Sequence, residues 1–293
     1  VSLEWCYDEY GLALLARELG KEKDYAHFHE RAHNYRKLYN PAHGFMAPRS
    51  ADGAWIEPFD PKLSSGEGGR AYYAECNAWT YTWSVQHDVA GLIELMGGRE
   101  NFVARLDQLF IEPCDNAKWH FLGQFPDSTG LIGQFVTGNE PSFHIPYLYT
   151  YAGAPWKTQR RVRQIMDLWF DDTPLGLCGD EDGGAMSAWH IFNAIGFFPT
   201  CPGEPYYALG SPVFERIELC PPGGPAFIVN AEGSSSQTKY IQRASLNGVP
   251  HERPWFPHTA IQHGGELTLE MGPRPNKAWG SRPQDAPPSL SEG

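Results

Sequence analysis

The chain has 293 residues, of which 41% are hydrophobic, 14% aromatic and 20% charged, a balance that fits a globular protein with an ample core and excludes a disordered chain. Its formal net charge is -12 and its longest basic stretch is KTQRRVR at 157–163, which argues against a nucleic-acid partner. No apolar run of about eighteen residues is present, so no membrane span is expected.

In chain order, apolar residues recur at helical spacing from Leu3 to Leu19, Gly20 stops that run, and a second amphipathic run from Lys23 to Leu38 ends at Asn40 and Pro41. These predict a helical hairpin. The first run reads as a helix already in progress with neither Met nor leader, which points to a processed or cleaved fragment. Residues 41–70 are rich in Pro, Gly and Asp and read as a long structured loop or short hairpin, a kind of segment that is often functional. Helical patterning resumes near Trp79 and continues to about Met96, with a short helix around Asn101 to Phe110. A loop over 111–138 then precedes predicted helices from about Pro141 to Ala152, from Pro155 to Phe170 and from Ala185 to Phe197. Paired helices across uneven loops predict a mainly α fold, an α/α toroid or bundle, over residues 1–200. After Pro199, the runs FERIEL, AFIVNA, YIQRASL and ELTLEM alternate between turn sequences, so 201–276 is expected as a C-terminal β segment. Residues 277–293 read as a mobile tail.

Six cysteines (Cys6, Cys76, Cys114, Cys178, Cys201, Cys220) contain no CxxC pair, which argues against structural zinc; their spacing is compatible with disulfides of a secreted protein or with buried free thiols. Ten tryptophans and fourteen tyrosines exceed what a core requires, and such flat amphipathic rings suit sugar faces.

Three segments concentrate groups that carry chemistry. GLCGDEDGGAMSAW (176–189) sets Asp180, Glu181 and Asp182 between glycines at the mouth of a helix; one capping acid suffices there, so the surplus suggests presentation to a ligand or metal. An EF-hand is excluded, because the twelfth position from Asp180 is Ile191. TGNEPSFHIPYLY (137–149) places Asn139 and Glu140 before Pro141, as a helix cap or as hard oxygens suited to calcium, with His144 following. In YYAECNAWTYTWSVQHDV (72–89) the aromatic surroundings of Glu75 would raise its pKa as a general acid requires, while Trp79, Tyr81 and Trp83 suit a core and His87 with Asp88 a buried polar pair. Arg49, Trp55, Glu57 and Asp60 are further candidates. A G-x-S-x-G nucleophile elbow and a P-loop are absent, and separated carboxylates with loops and aromatics suit glycoside hydrolysis.

The stretches GFMAPR, WIEPFDP, AECNAWTYTW, HDVAGLIELMGG, GNEPSFHIPYLYTYAGAPWKTQ, GLCGDEDGGAMSAW, FFPTCPG, YALGSPVFERIEL and MGPRPNKAWG together resemble the catalytic half of glycoside hydrolase family 92, the calcium-dependent exo-acting α-mannosidases. The resemblance runs over nearly the whole chain in the family's order. It implies the later helices of an (α/α)6 toroid and a closing β segment, which would pack on an N-terminal β-sandwich not contained in this chain. It implies an inverting reaction on terminal mannose of mannose-rich glycans, with a Ca2+ ion at the sugar, in a secreted or cell-surface, bacterial protein. By position, the resemblance implies Glu75 as general acid and Asp180 and Asp182 as the pair supplying the base, Asp182 favoured. It also implies Asn139 and Glu140 at the metal with Gln134 as neighbour. Trp79, Trp55, His87, Asp88 and His144 complete the set as substrate-binding candidates. The chain departs from the pattern at Cys76, where Gly is common, at Thr80, where Gln is common, and at Phe143, where His is common; these put linkage preference in doubt. A mannosyl-phosphate hydrolase of the same family and a non-catalytic glycan-binding toroid are the alternatives; retention of Glu75 favours an ordinary glycosidic bond.

Overall fold

A computed structural model describes residues 2–63, 72–74, 76–114 and 129–292. The chain forms two compact units, Val1–Ser142 with Ser289–Gly293, and Phe143–Pro288. The division falls at 142/143, well before the change of sequence character at 200, because the helices after Ser142 pack with the strands that follow them.

In the first unit, α1 (Ser2–Glu18) and α2 (Glu22–Ala32) form the expected hairpin. Leu3, Cys6, Tyr10, Ala13 and Ala16 recur every three or four residues and supply the buried face of α1. Gly20, at φ 66°, ends the run in the left-handed conformation that glycine adopts without a Cβ clash. A 3-10 turn, His33–Leu38, continues α2, and the segment after it opens with a short hairpin of β1 (Tyr39–Asn40) and β2 (Phe45–Met46). The single helix expected from Trp79 to Met96 is interrupted. Asn77 Oδ1 accepts from the Trp79 amide and caps one turn, α3 (Ala78–Tyr81); Asp88 then caps a new helix, α4 (Val89–Leu95), by accepting from the Gly91 amide. Two caps eleven residues apart in sequence define two helices rather than one. Helix α5 (Arg99–Leu109) follows, and β3 (Leu131–Ile132) with β4 (Phe135–Val136) forms a hairpin whose turn needs Gly133 at φ 63°. A Cβ there would meet the Leu109 carbonyl oxygen at 2.6 Å.

The α-helix expected from Pro141 to Ala152 is instead two 3-10 segments, Glu140–Ser142 and Ile145–Thr150. Pro141 and Pro146 lack amide donors, and each disfavours α geometry in the residue before it, which breaks the ladder. In the second unit, α6 (Pro155–Trp169) and α7 (Ala185–Ile195) occur where expected. Strands β5 (Phe197–Phe198) and β6 (Tyr206–Leu209) precede β7 (Arg216–Leu219), β8 (Phe227–Asn230), β9 (Tyr240–Leu246), β10 (Val249–Pro250) and β11 (Trp255–Pro257). The one-turn helix α8 (Thr259–Gln262) and β12 (Gly265–Gly272) follow. They form a five-stranded sheet in the order β10-β9-β12-β8-β7, antiparallel except for β12 with β8, and a three-stranded sheet β11-β6-β5. Alternation along the strands buries Phe227, Val229, Ile241, Leu267 and Leu269 with Phe197, Leu209 and Phe256, each large side chain contributing about 2 kcal/mol.

The C-terminal residues expected to be a mobile tail are packed. Trp279 is buried and its indole N–H donates to the His251 carbonyl at 3.0 Å; the Arg282 guanidinium holds Asp285 through two hydrogen bonds and the Arg282 backbone amide through a third. Ser289 to Ser291 belong to the first unit, where the Leu290 amide donates to the His87 carbonyl at 2.9 Å and the serines reach Asp88. Polarity and proline content suggested a tail, but these particular side chains have partners far away in sequence. Among the described residues, none of the six cysteines is joined in a disulfide.

Candidate active site

The glycine-framed acids lie in the second unit. The loop before them is closed by the Phe170–Leu177 bridge and by the Asp171 amide donating to the Gly176 carbonyl at 3.1 Å; a Cβ on Gly176 would meet the Asp171 carbonyl oxygen at 2.1 Å. Gly176 is therefore required by close approach. Gly183 and Gly184 are required for another reason: a Cβ on either meets nothing within 4 Å, but their φ values are 66° and 107°. Asp182 shares this left-handed stretch at φ 47°, a conformation that Asp tolerates better than most residues.

The three acids have different employments. Glu181 Oε2 accepts from the Gly184 amide at 2.5 Å and Oε1 from the Ser187 amide at 3.0 Å, so it caps the entry to α7, and these hydrogen bonds, Ser187 first, hold its carboxyl below the usual range. Asp180 and Asp182 are exposed and make no hydrogen bond among the described residues. Helix α7 itself is fixed by Trp189, whose indole N–H donates to the Phe143 carbonyl at 3.1 Å and whose ring stacks on Phe170 at 5.5 Å. His144 is buried at the start of the Ile145–Thr150 turn.

In the first unit, α3 packs against β4 and the Glu140–Ser142 turn, which brings the Cys76–Asn77 and Gln134–Glu140 segments together. The buried Asn139 amide donates from Nδ2 to Cys76 Sγ at 3.6 Å, and Glu140 is half-buried. Asn139 and Glu140 do not stand at the mouth of an α-helix as expected, since the turn after them is a single 3-10 segment. Three buried hydroxyls here, Thr80 Oγ1, Thr137 Oγ1 and Ser142 Oγ, have no hydrogen-bond partner among the described residues. Glu75 lies outside the described residues.

Oxygen donors are what calcium takes, in sets of about six to eight. Asn139 Oδ1 has no hydrogen bond among the described residues, and with the Glu140 carboxylate it fits that chemistry as part of a set. Gln134 does not fit. Its Oε1 accepts from Asn77 Nδ2 at 2.9 Å and its Nε2 donates to the Pro113 carbonyl at 3.0 Å, so it braces Asn77. Among the described residues no group of three or more His, Cys, Asp or Glu side chains is placed to hold a metal.

The aromatic and polar substrate candidates divide as well. Trp79 is 3% exposed, meets Phe45 edge-on, and carries the Arg105 guanidinium 4.5 Å above its ring, so it offers no face to a sugar. Trp55 is half-buried under Arg49, at 4.8 Å, and is joined to Arg49 by an isolated β-bridge. His87 and Asp88 are taken up by the fold rather than left for a substrate. His87 is 2% exposed among Tyr7, Tyr10 and Tyr35, its Nε2 lies 3.1 Å from the Ala32 carbonyl, and burial pushes its pKa down to about 4. Asp88 accepts from the Gly91 and Ser291 amides and from the hydroxyls of Tyr35, Ser289 and Ser291. Burial raises its pKa, but the hydrogen bonds, led by those from Ser291 and Tyr35, outweigh it and leave the carboxyl lowered. Sequence reasoning missed Cys76 and Asn77 as supports of this region. The Asn preceding a helical run by one residue was a readable cap signal, whereas nothing local marked Cys76.

A family model for the glycosyl hydrolase family 92 catalytic domain matches residues 1–273. A protein of Arthroderma benhamiae named as an uncharacterized secreted glycosidase is 33% identical over 315 residues, an alignment covering 100% of this chain and 38% of that protein. A family 92 α-mannosidase of Bacteroides thetaiotaomicron, solved in complex with mannoimidazole, is similar with a TM-score of 0.90 and 36% identity, over 98% of this chain and 38% of that one. A family 92 inverting mannosidase of the same organism matches with a TM-score of 0.86 and 40% identity, over 99% of this chain and 39% of that one. The chain thus spans well under half the length of these relatives, and among its described residues no helix is long and apolar enough to cross a membrane. By sequence match across most of its length and by fold, this chain belongs to glycosyl hydrolase family 92.

Proposed function

We propose that this chain is part of the catalytic domain of a secreted, calcium-dependent, inverting exo-α-mannosidase that removes terminal α-mannosyl residues from mannose-rich glycans. Its helices would belong to the later part of an (α/α)6 toroid, with residues 201–276 packing on a β-sandwich elsewhere in the longer protein. The observation that carries the reading is the division of labour at 180–182: Glu181 caps α7, and Asp180 and Asp182 keep exposed carboxylates with no hydrogen-bond partner among the described residues. One of these, Asp182 by preference, would take a proton from the attacking water, and Glu75 would protonate the leaving oxygen. Asn139 and Glu140 would help to hold the calcium. The ion, when bound, supplies a positive charge that fixes and polarises sugar hydroxyls. The Arthroderma relative's description as secreted supports export, and with relatives in both Arthroderma and Bacteroides the expectation of a bacterial source has no support.

The test is product analysis by NMR with the complete protein on a panel of mannobioses and a mannosyl phosphate, with and without a chelator. Release of β-mannose that stops with chelator and returns with calcium is expected. Retained configuration, or release indifferent to chelation, overturns the reading. Glu75→Gln is expected to abolish turnover of mannobioses while sparing substrates with activated leaving groups; equal loss on both removes Glu75 from the role of acid.

A further inference from the structure

We propose that the Cys76 thiol is a positioning residue that sets which end of the Asn139 carboxamide is offered to calcium. The inference rests on the reading of Asn139 as a calcium ligand. A carboxamide carries an oxygen and an NH2 group of nearly equal size, and only the oxygen coordinates a hard cation. A half-turn about the last side-chain bond exchanges them, so a ligand of this kind needs something that holds its nitrogen. Asn139 is 2% exposed, so bulk water does not do this. The hydrogen bond that engages its side chain among the described residues runs from Nδ2 to Cys76 Sγ, at 3.6 Å.

The sulfur is itself well placed to act as a fixed acceptor. Cys76 is fully buried, and the next residue, Asn77, is anchored through both ends of its side chain, Oδ1 capping α3 and Nδ2 donating to Gln134. Gln134 in turn is held by Pro113, and its amide donates to the Leu109 carbonyl at 2.8 Å. Cys76 thus stands on a braced segment, and its sulfur takes the amide nitrogen and leaves the oxygen for the ion. Partners of this kind, one bond removed from the metal, set ligand orientation.

The experiment measures calcium affinity by titration calorimetry on the complete protein stripped of metal, comparing the parent with Cys76→Ser, Cys76→Val and Cys76→Ala. Serine keeps an acceptor in a similar place; valine keeps volume and removes the acceptor; alanine removes both. The expected result is calcium binding about tenfold weaker in the Val and Ala variants, with Ser restoring affinity close to the parent's. Should alanine impair folding, the valine and serine pair still separates acceptor from volume. Parent-like affinity in the valine variant, or weakening in the serine variant equal to that in the valine variant, overturns the proposal. Failure of the underlying reading looks different: the parent binds no calcium, or Asn139→Ala binds it as the parent does, and either result overturns both.

Discussion

Asp88 and the Asp180–Asp182 triplet both place carboxylates at the entry to a helix, and the fold uses them in opposite ways. The Asp88 carboxylate accepts hydrogen bonds from two amides and three hydroxyls, including groups about two hundred residues away in sequence. In the triplet, the middle residue alone does the capping, and its two neighbours keep their oxygens for solvent or a ligand. An acidic residue is available for chemistry when the fold has not already occupied its lone pairs. Sequence position beside a helix does not distinguish the two conditions.

Four measurements test this contrast. The largest effect is expected at the free acids: Asp182→Asn should lower turnover of mannobioses by about a hundred- to ten-thousandfold with no loss of thermal stability, since asparagine tolerates the left-handed backbone. A stability loss with turnover intact would make Asp182 a structural acid like Asp88, and comparison with Asp180→Asn identifies which of the two is the base. Next, Asp88→Ala should lower unfolding stability by about 3 kcal/mol, because several buried donors lose a charged acceptor, and KM should not change. A raised KM with stability preserved would return Asp88 to the substrate.

The third measurement is pH dependence. His87 has a folded value of about 4 against the ordinary 6.5, so between these values the unfolded chain binds a proton that the folded one does not. Stability is therefore full above about pH 6.5 and falls as pH drops, by about 3 kcal/mol at pH 4. Asp88, whose folded value is lowered, adds a further loss below the ordinary aspartate range. Urea midpoints at pH 7, 5 and 4 should show this fall in the parent and a shallower one in His87→Phe, whose ring suits the surrounding tyrosines; identical slopes would remove His87 as the cause. The smallest effect belongs to Glu181→Ala, expected to cost about 1 kcal/mol as a lost helix cap. A drop in turnover at Glu181→Gln as large as at Asp182→Asn would show that the middle acid is more than a cap.

Much of the architecture was legible because it depends on local periodicity. The α1–α2 hairpin, α5, α6, α7 and the strands β7, β8, β9 and β12 all lie close to where the apolar spacing puts them. The failures share a cause. Between Trp79 and Met96 the apolar spacing stays helical, but Asn77 and Asp88 each start a helix of their own. From Pro141 to Ala152 two prolines override the pattern. The Trp79 ring has the chemistry of a sugar platform, but Arg105 and Phe45 cover it.

Family membership, the helix and strand periods, and the residue types able to perform glycoside hydrolysis are all readable from the amino acids in order. They follow from side-chain chemistry and from spacings of two or three to four residues, which short windows of chain contain. Folding in three dimensions was needed to settle which carboxylates the protein itself binds, which aromatic faces are covered, that the cysteines form no disulfide among the described residues, and that Ser289 to Ser291 close on Asp88. Such outcomes depend on burial and on hydrogen bonds between residues far apart in the chain, and no local pattern of amino acids encodes them.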